Sequence, residues 1–327
     1  MANTNHSLIE PQAIREFREL REETIALAKG ALPQHLDLMP DGFNNSIRWN
    51  LGHLLAAWDH GIFPKLGRER RIPAVYHHMF PRGTSPLDWR EYPPTREGII
   101  QELGNQMNDI ARELPSQLDA PLAEPFLDMS TMREMAAFLL REEQHHQKVI
   151  RAIGEALSSG VPSKPTPAVP AVIAMPDIAV TGIALHGVLR ELEEAGLGRK
   201  AYQDMQSRRE DIPGRQSEDI YLVQLYPPNF NPEADPVTQL IGYLVGPSSA
   251  VPDGLSQQAM EAGEYAKYTH KGLESELGRS YGLLYGHWMA EFGREPRGYD
   301  LELWGSRYKP DQLDNEIDMF ISLAPNK

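Results

Sequence analysis

The sequence predicts a multidomain protein: an all-α four-helix bundle followed by an α+β domain of duplicated β-α-β-β units. Three observations carry this. The length, 327 residues, exceeds the ~100–200 of an ordinary single domain. The apolar period is helical up to about Leu157 and strand-like from about Asp177. Between them, SSGVPSKPTPAVPAV (158–172) is rich in Pro and Ser and has neither period, which predicts a semi-rigid tether. The expected boundaries are 1–157 for the bundle, 158–174 for the linker and 175–327 for the second domain.

The first helix begins at Pro11, places Ile14, Phe17, Leu20, Thr24 and Leu27 on one face, and stops at Gly30. Asn44 or Asn45 is the expected cap of a second, running through SIRWNLGHLLAAWDHGIF to about Leu66. Residues 67–94 turn to Pro, Arg and Gly and read as a long crossover. Leu103, Met107, Ile110 and Leu114 make the seam of a third helix, ended by Pro115. The fourth opens on a capping box, Thr131 with Glu134, and runs to about Leu157.

Composition narrows the function classes. With 41% hydrophobic and 24% charged residues the chain is ordinary for a globular protein, and no apolar run approaches the ~18 residues of a membrane span. MANTNHSLIEPQ lacks the basic start and apolar run of a secretory signal, so a cytoplasmic location is expected. The formal charge of −14 disfavours nucleic acid as a partner. There is no cysteine, so any metal must be held by His, Asp or Glu. The oligomeric state is open, a homodimer included.

In the bundle the chemistry sits in REEQHHQKVI. Glu142 and His146 are four apart and project side by side from one helix. Joined by His53 from the second helix, they make a three-ligand set of nitrogen and oxygen donors for a divalent metal, with coordination positions left open. The plainer alternative pairs Glu142 with Lys148 or solvent and leaves His146 as an interfacial histidine. SIRWNLGHLLAAWDH, followed some way on by FLLREEQHHQKVIRAIG, resembles the DinB-like family of metal-dependent four-helix bundles over roughly residues 8–157. That resemblance implies His53 as the first ligand and His146 as the last, with Glu142 where the family has a histidine, and zinc, nickel or manganese as the ion. It also implies thiol-dependent transferase or hydrolase chemistry in which the thiol comes from a small cosubstrate.

In the second domain, strands are expected at Asp177–Leu185, Asp219–Tyr226 and Gln239–Gly246, with a glycine-interrupted helical segment after the first. The order repeats: a strand at Tyr265–His270, a helix from about Glu276 to Phe292, and strands at Tyr299–Tyr308 and Glu316–Leu323. Such a repeat predicts a pseudo-twofold domain with a cleft between its halves. Alternation sets Asp300, Glu302, Trp304 and Ser306 on one strand face and gives the aliphatic face of Tyr299, Leu301 and Leu303 to the core. Tyr281, Leu284 and Trp288 share a helical stripe, and Tyr243 and Tyr268 come from neighbouring strands. A carboxylate boxed by aromatics attracts lipophilic cations; otherwise Trp288 and Trp304 are core aromatics and Glu302 faces water.

IGYLV, GEYAKYTHKG, YGLLYGHWMAEFG, YDLELW and EIDMFISL, in that order, resemble the GyrI-like effector-binding family over roughly residues 175–325. The resemblance implies Glu302 at the floor of a ligand pocket lined by Trp288 and Tyr268, with Trp304 in place of a usual tyrosine. It implies a small-molecule ligand, cationic or electrophilic, sensed or sequestered in stress response or resistance. In some members the same glutamate helps to hydrolyse strained compounds, which makes a hydrolase using Glu302 the first alternative. Metal-dependent chemistry at His53, Glu142 and His146 is the second.

Overall fold

The computed structural model describes residues 11–246 and 248–325, in two compact units that divide between Val169 and Pro170. The segment read for a secretory signal falls, but for Pro11 and Gln12, outside the described residues. Among the described residues no helix is long and apolar enough to cross a membrane.

The first unit runs α1 (Gln12–Gly30), β1 (Leu38–Pro40), α2 (Ile47–Ile62), α3 (Ala74–Met79), α4 (Arg96–Glu113), β2 (Pro121–Phe126), β3 (Met129–Thr131), α5 (Met132–Ser158) and β4 (Ser163–Pro165). Its four long helices pack so that α1 and α2 each lie against both α4 and α5. Two apolar clusters fill the space between them, one around Trp49, Phe80 and Trp89, the other around Phe17, Trp58 and Phe63. Burial of each such side chain contributes ~1.5–3 kcal/mol. The core also holds a charged layer. Arg21 of α1 meets Glu143 of α5 at 2.9 Å, both fully buried, while Gln106 accepts from Arg21 and Thr24 donates to Glu143.

The capping box of α5 forms as expected, with Thr131 bonding the Glu134 amide and the Glu134 carboxylate reaching back. The cap of α2 is Ser46, not Asn44 or Asn45: its hydroxyl accepts from the Trp49 amide at 3.2 Å, one residue nearer the first turn. The expected crossover carries its own helix, α3. The expected tether is tied down at both ends. Residues 163–165 pair with 38–40 and Thr166 donates to the Asp37 carbonyl, while residues 171–175 enter the sheet of the second unit. Backbone groups there find partners that a Pro-rich composition does not advertise.

The second unit is one eight-stranded antiparallel sheet with helices on one face. In chain order it comprises β5 (Ala171–Met175), β6 (Ile178–Val188), α6 (Leu189–Glu194), α7 (Leu197–Ser207), β7 (Arg215–Leu225), β8 (Pro236–Val245), β9 (Ser256–Met260), β10 (Gly263–Lys271), α8 (Leu277–Gly282), α9 (Met289–Phe292), β11 (Pro296–Trp304) and β12 (Glu316–Leu323). The sheet order is β5-β10-β12-β11-β7-β8-β6-β9. The two predicted repeats are therefore β6-α-β7-β8 and β10-α-β11-β12, joined through their middle strands β7 and β11. The edge strands β5 and β9 were not expected. Gly196, at φ 62°, breaks the first helical segment into α6 and α7, a conformation glycine adopts without strain.

Two further differences bear on the site. β11 ends at Trp304, because Tyr308 turns back to the Gly305 carbonyl and Ser306 falls in the turn. The expected helix 276–292 is interrupted by a π-helical stretch, Leu283–Trp288, between α8 and α9. Such stretches shift the register of side chains and are frequent at functional sites.

Candidate ligand site and candidate metal centre

Alternation along β11 puts Leu301 on the sheet face away from the helices, in a buried cluster with Val223, Leu240 and Phe320. Asp300 and Glu302 point the other way, under the helices. The alternative in which Glu302 faces water is not what the structure shows: Asp300 is 0% and Glu302 3% exposed. A buried carboxyl needs donors, and each has two. Glu302 accepts from the Tyr281 hydroxyl at 2.7 Å and from Trp304 Nε1 at 2.8 Å. Asp300 accepts from the Tyr226 hydroxyl at 2.6 Å and the Tyr285 hydroxyl at 2.7 Å.

Burial pushes both carboxyls up to about 7, against the pull of the hydrogen bonds they accept. The charge of Glu302 adds to the rise at Asp300, and those of Glu274 and Glu193 to the rise at Glu302. Burial also drives the phenols of Tyr226, Tyr281 and Tyr285 upward, so they stay protonated donors.

Of the residues singled out by sequence, Trp304 and Glu302 touch. Tyr268 lies in register with Met319 and through it with Glu302, and Tyr243 likewise with Ile220 and Trp304. Both tyrosines thus share the helix-covered face, each two strands from β11. Tyr243 is fully buried, with its hydroxyl against the Met205 carbonyl at 3.4 Å. Trp288 is fully buried and stacks on Phe292 at 4.8 Å, and its Nε1 has no hydrogen-bond partner among the described residues. Sequence reasoning missed Asp300, Tyr226 and Tyr285 as members of the site. Two signals were available: the i, i+2 carboxylates of DLE and the i, i+4 tyrosines of YGLLY.

In the helical unit, His53, Glu142 and His146 do converge. One ligand atom from each lies within 4.8 Å of the others, and the two imidazoles sit 4.7 Å apart. His53 Nδ1 is held by the Phe80 carbonyl at 2.8 Å and His146 Nδ1 by Asn50 Oδ1 at 2.7 Å. Both partners are acceptors, so each Nδ1 carries the proton and each Nε2 presents a lone pair. Burial lowers both imidazoles, His146 to about 3, and keeps them neutral. Trp49 stacks on His53 at 4.7 Å and 8°. Two neutral nitrogens and one carboxylate suit a divalent ion such as zinc, nickel or manganese. Two cavities of ≈420 and ≈450 Å³ in this unit are lined by none of these three residues.

The architecture defines a class, a helical domain followed by a curled antiparallel sheet domain. Residues 16–150 match the DinB superfamily and residues 173–323 match the GyrI-like small molecule binding domain. Each half of the chain thus matches one of these families. Among curated proteins it is 32% identical over 84 residues to the transcriptional regulator BrlR of Pseudomonas aeruginosa, a match spanning 25% of this chain and 31% of that protein's length. Solved structures that resemble it include SAV2435 bound to tetraphenylphosphonium (10% identity, 48% of this chain and 94% of that one, TM-score 0.38). Others are the EcmrR C-terminal domain (14%, 47% and 96%, TM-score 0.33) and a hydrolase encoded by lin2189 from Listeria innocua (12%, 47% and 91%, TM-score 0.30). The expectation against nucleic acid finds no support among these relatives, which include a transcriptional regulator.

Proposed function

We propose that the protein binds small aromatic cations over β11, sensing or sequestering them, with Glu302 as the anionic anchor. The observation that carries this is a buried carboxyl whose two partners, Tyr281 and Trp304, are aromatic donors rather than a cationic side chain. Among the described residues its hydrogen-bond partners are neutral, so a ligand cation completes it. Edge-to-face contacts of Tyr202 with Trp304 and Tyr308, and the stacking of Trp304 on Tyr308 at 4.9 Å, extend the aromatic surface from that point. The description of the matched family as a small molecule binding domain supports the same reading.

Glu302→Gln tests it. The variant is expected to weaken a lipophilic cation at least about tenfold and a neutral compound of the same shape by much less. Equal loss for both would remove charge from the recognition. Turnover of a strained or electrophilic compound that vanishes in Glu302→Gln would instead make the site hydrolytic, with the carboxyl acting as general acid or holding the water.

A second reading is favoured by the two oriented Nε2 atoms: we propose that His53, Glu142 and His146 hold a divalent metal. The ion would supply Lewis acidity at positions that three protein ligands leave open. Metal analysis of protein prepared without a histidine tag or chelator is expected to find one ion per chain, lost on Glu142→Ala. Failure to take up zinc, nickel or manganese on reconstitution refutes it.

A further inference from the structure

The crossover between α2 and α4 returns to the metal ligands in one short turn. Residues 81–84 close it: the Thr84 amide donates to the Pro81 carbonyl at 3.1 Å, and Gly83, at φ 90°, takes the third position, where such a turn needs a left-handed residue. Both ends are clamped on α2 beside the histidines. On one side Phe80 is fully buried, and its carbonyl holds His53 Nδ1 at 2.8 Å. On the other, Thr84 Oγ1 accepts at 3.0 Å from Nε1 of Trp49, the ring that stacks on His53.

Arg82 stands at the second position of this turn, between the two clamps. It is exposed, and among the described residues it makes neither a hydrogen bond nor an ion pair. Its backbone is thus fixed while its guanidinium fork has no protein acceptor. The charge of Arg82 reaches the ligand set: burial first, and then Arg82, lower the His53 imidazole. The Glu142 side chain is 35% exposed, so the set opens to solvent and a small molecule can approach it. The charges there favour an anion. A divalent ion held by two neutral imidazoles and one carboxylate keeps one positive charge, and Arg82 adds a second.

We propose that Arg82 sets the specificity of the metal centre, taking the carboxylate of a small molecule whose other end carries a donor for an open coordination position. This rests on the reading of His53, Glu142 and His146 as metal ligands, and adds to it a ligand class and a recognition residue. The planar fork of arginine meets a carboxylate through two parallel hydrogen bonds, whereas an amide of the same shape offers one acceptor and no charge.

The probes are 3-mercaptopropionate and 3-mercaptopropionamide. They share a thiol, which zinc takes as a ligand, and differ in the charge at the far end. Each is titrated calorimetrically into zinc-loaded protein, with the zinc content measured afterwards. Wild type is expected to bind the acid about tenfold or more tightly than the amide, and the margin is expected to shrink as salt is added. Arg82→Gln is expected to erase the preference by weakening the acid, while the affinities for the amide and for zinc change by no more than about threefold. Arg82 is exposed, so the variant keeps the fold, and the wild-type comparison stands without it. Equal affinity of wild type for the two probes, a preference that survives Arg82→Gln, or equal loss of both probes in the variant overturns the inference and leaves the metal reading standing. Zinc-loaded protein that binds neither probe overturns it as well. Protein that takes up no zinc removes the metal reading and this inference with it.

Discussion

Raising the pH from 5 to 8 is expected to destabilise the second unit through Asp300 and Glu302. In the unfolded chain these carboxyls titrate near 4, whereas burial holds them at about 7 in the fold. Between those values the folded state binds more protons than the unfolded one, so stability falls as pH rises. It is fully present below about pH 4 and reaches its floor above about pH 7. Raising the Glu302 carboxyl from 4.5 to about 7 corresponds to roughly 3 kcal/mol, a large share of the ~5–15 kcal/mol that holds a domain folded. In Glu302→Gln the amide oxygen accepts one of the two bonds, and the amide nitrogen faces a donor, costing ~1–3 kcal/mol at every pH. The variant is thus less stable than wild type at pH 5 and equals or exceeds it by pH 8. Urea unfolding across this range, with β11 peptides followed by pulsed hydrogen exchange at one fixed pH, reads the effect. Parallel curves for wild type and variant would mean that Glu302 does not titrate in the fold, and the electrostatic argument for its role would fall.

Other outcomes follow from the helical unit. A Cβ at Gly52 would stand 2.5 Å from the Phe80 ring, so Gly52→Ala displaces the residue whose carbonyl orients His53; metal affinity in a chelator competition is expected to drop ~10–100-fold. Glu143→Leu leaves the buried Arg21 unpaired and is expected to cost ~3–5 kcal/mol in denaturant unfolding, most of it recovered in the double variant with Arg21→Met. Thr131→Ala removes one half of the capping box of α5 and is expected to cost ~1 kcal/mol by the same measurement.

Local pattern made much of this legible. The start of α5 was readable because Thr131 and Glu134 satisfy each other within four residues, and the whole of β12 because EIDMFISL is a short, mostly apolar run without Gly or Pro, buried throughout after Glu316. His53, Glu142 and His146 were readable as a set because helical spacing brings the last two together. What holds them was not: Phe80 is 27 residues from His53, and Asn50 is 96 from His146. Periodicity says nothing at that separation.

The alternation of YDLELW by itself determined that Asp300, Glu302 and Trp304 share a face, since a strand turns successive side chains to opposite sides. It left open whether Glu302 lies boxed by aromatics or faces water, since two carboxylates in a strand ordinarily stay in water. The tertiary structure decided between them. Helices cover the face, and Tyr226, 74 residues from Asp300, arrives with Tyr281 and Tyr285 to supply the hydrogen bonds that water would have made. A carboxyl stays solvated or goes under according to whether donors reach it, and donors from other elements reach it only once the chain has folded.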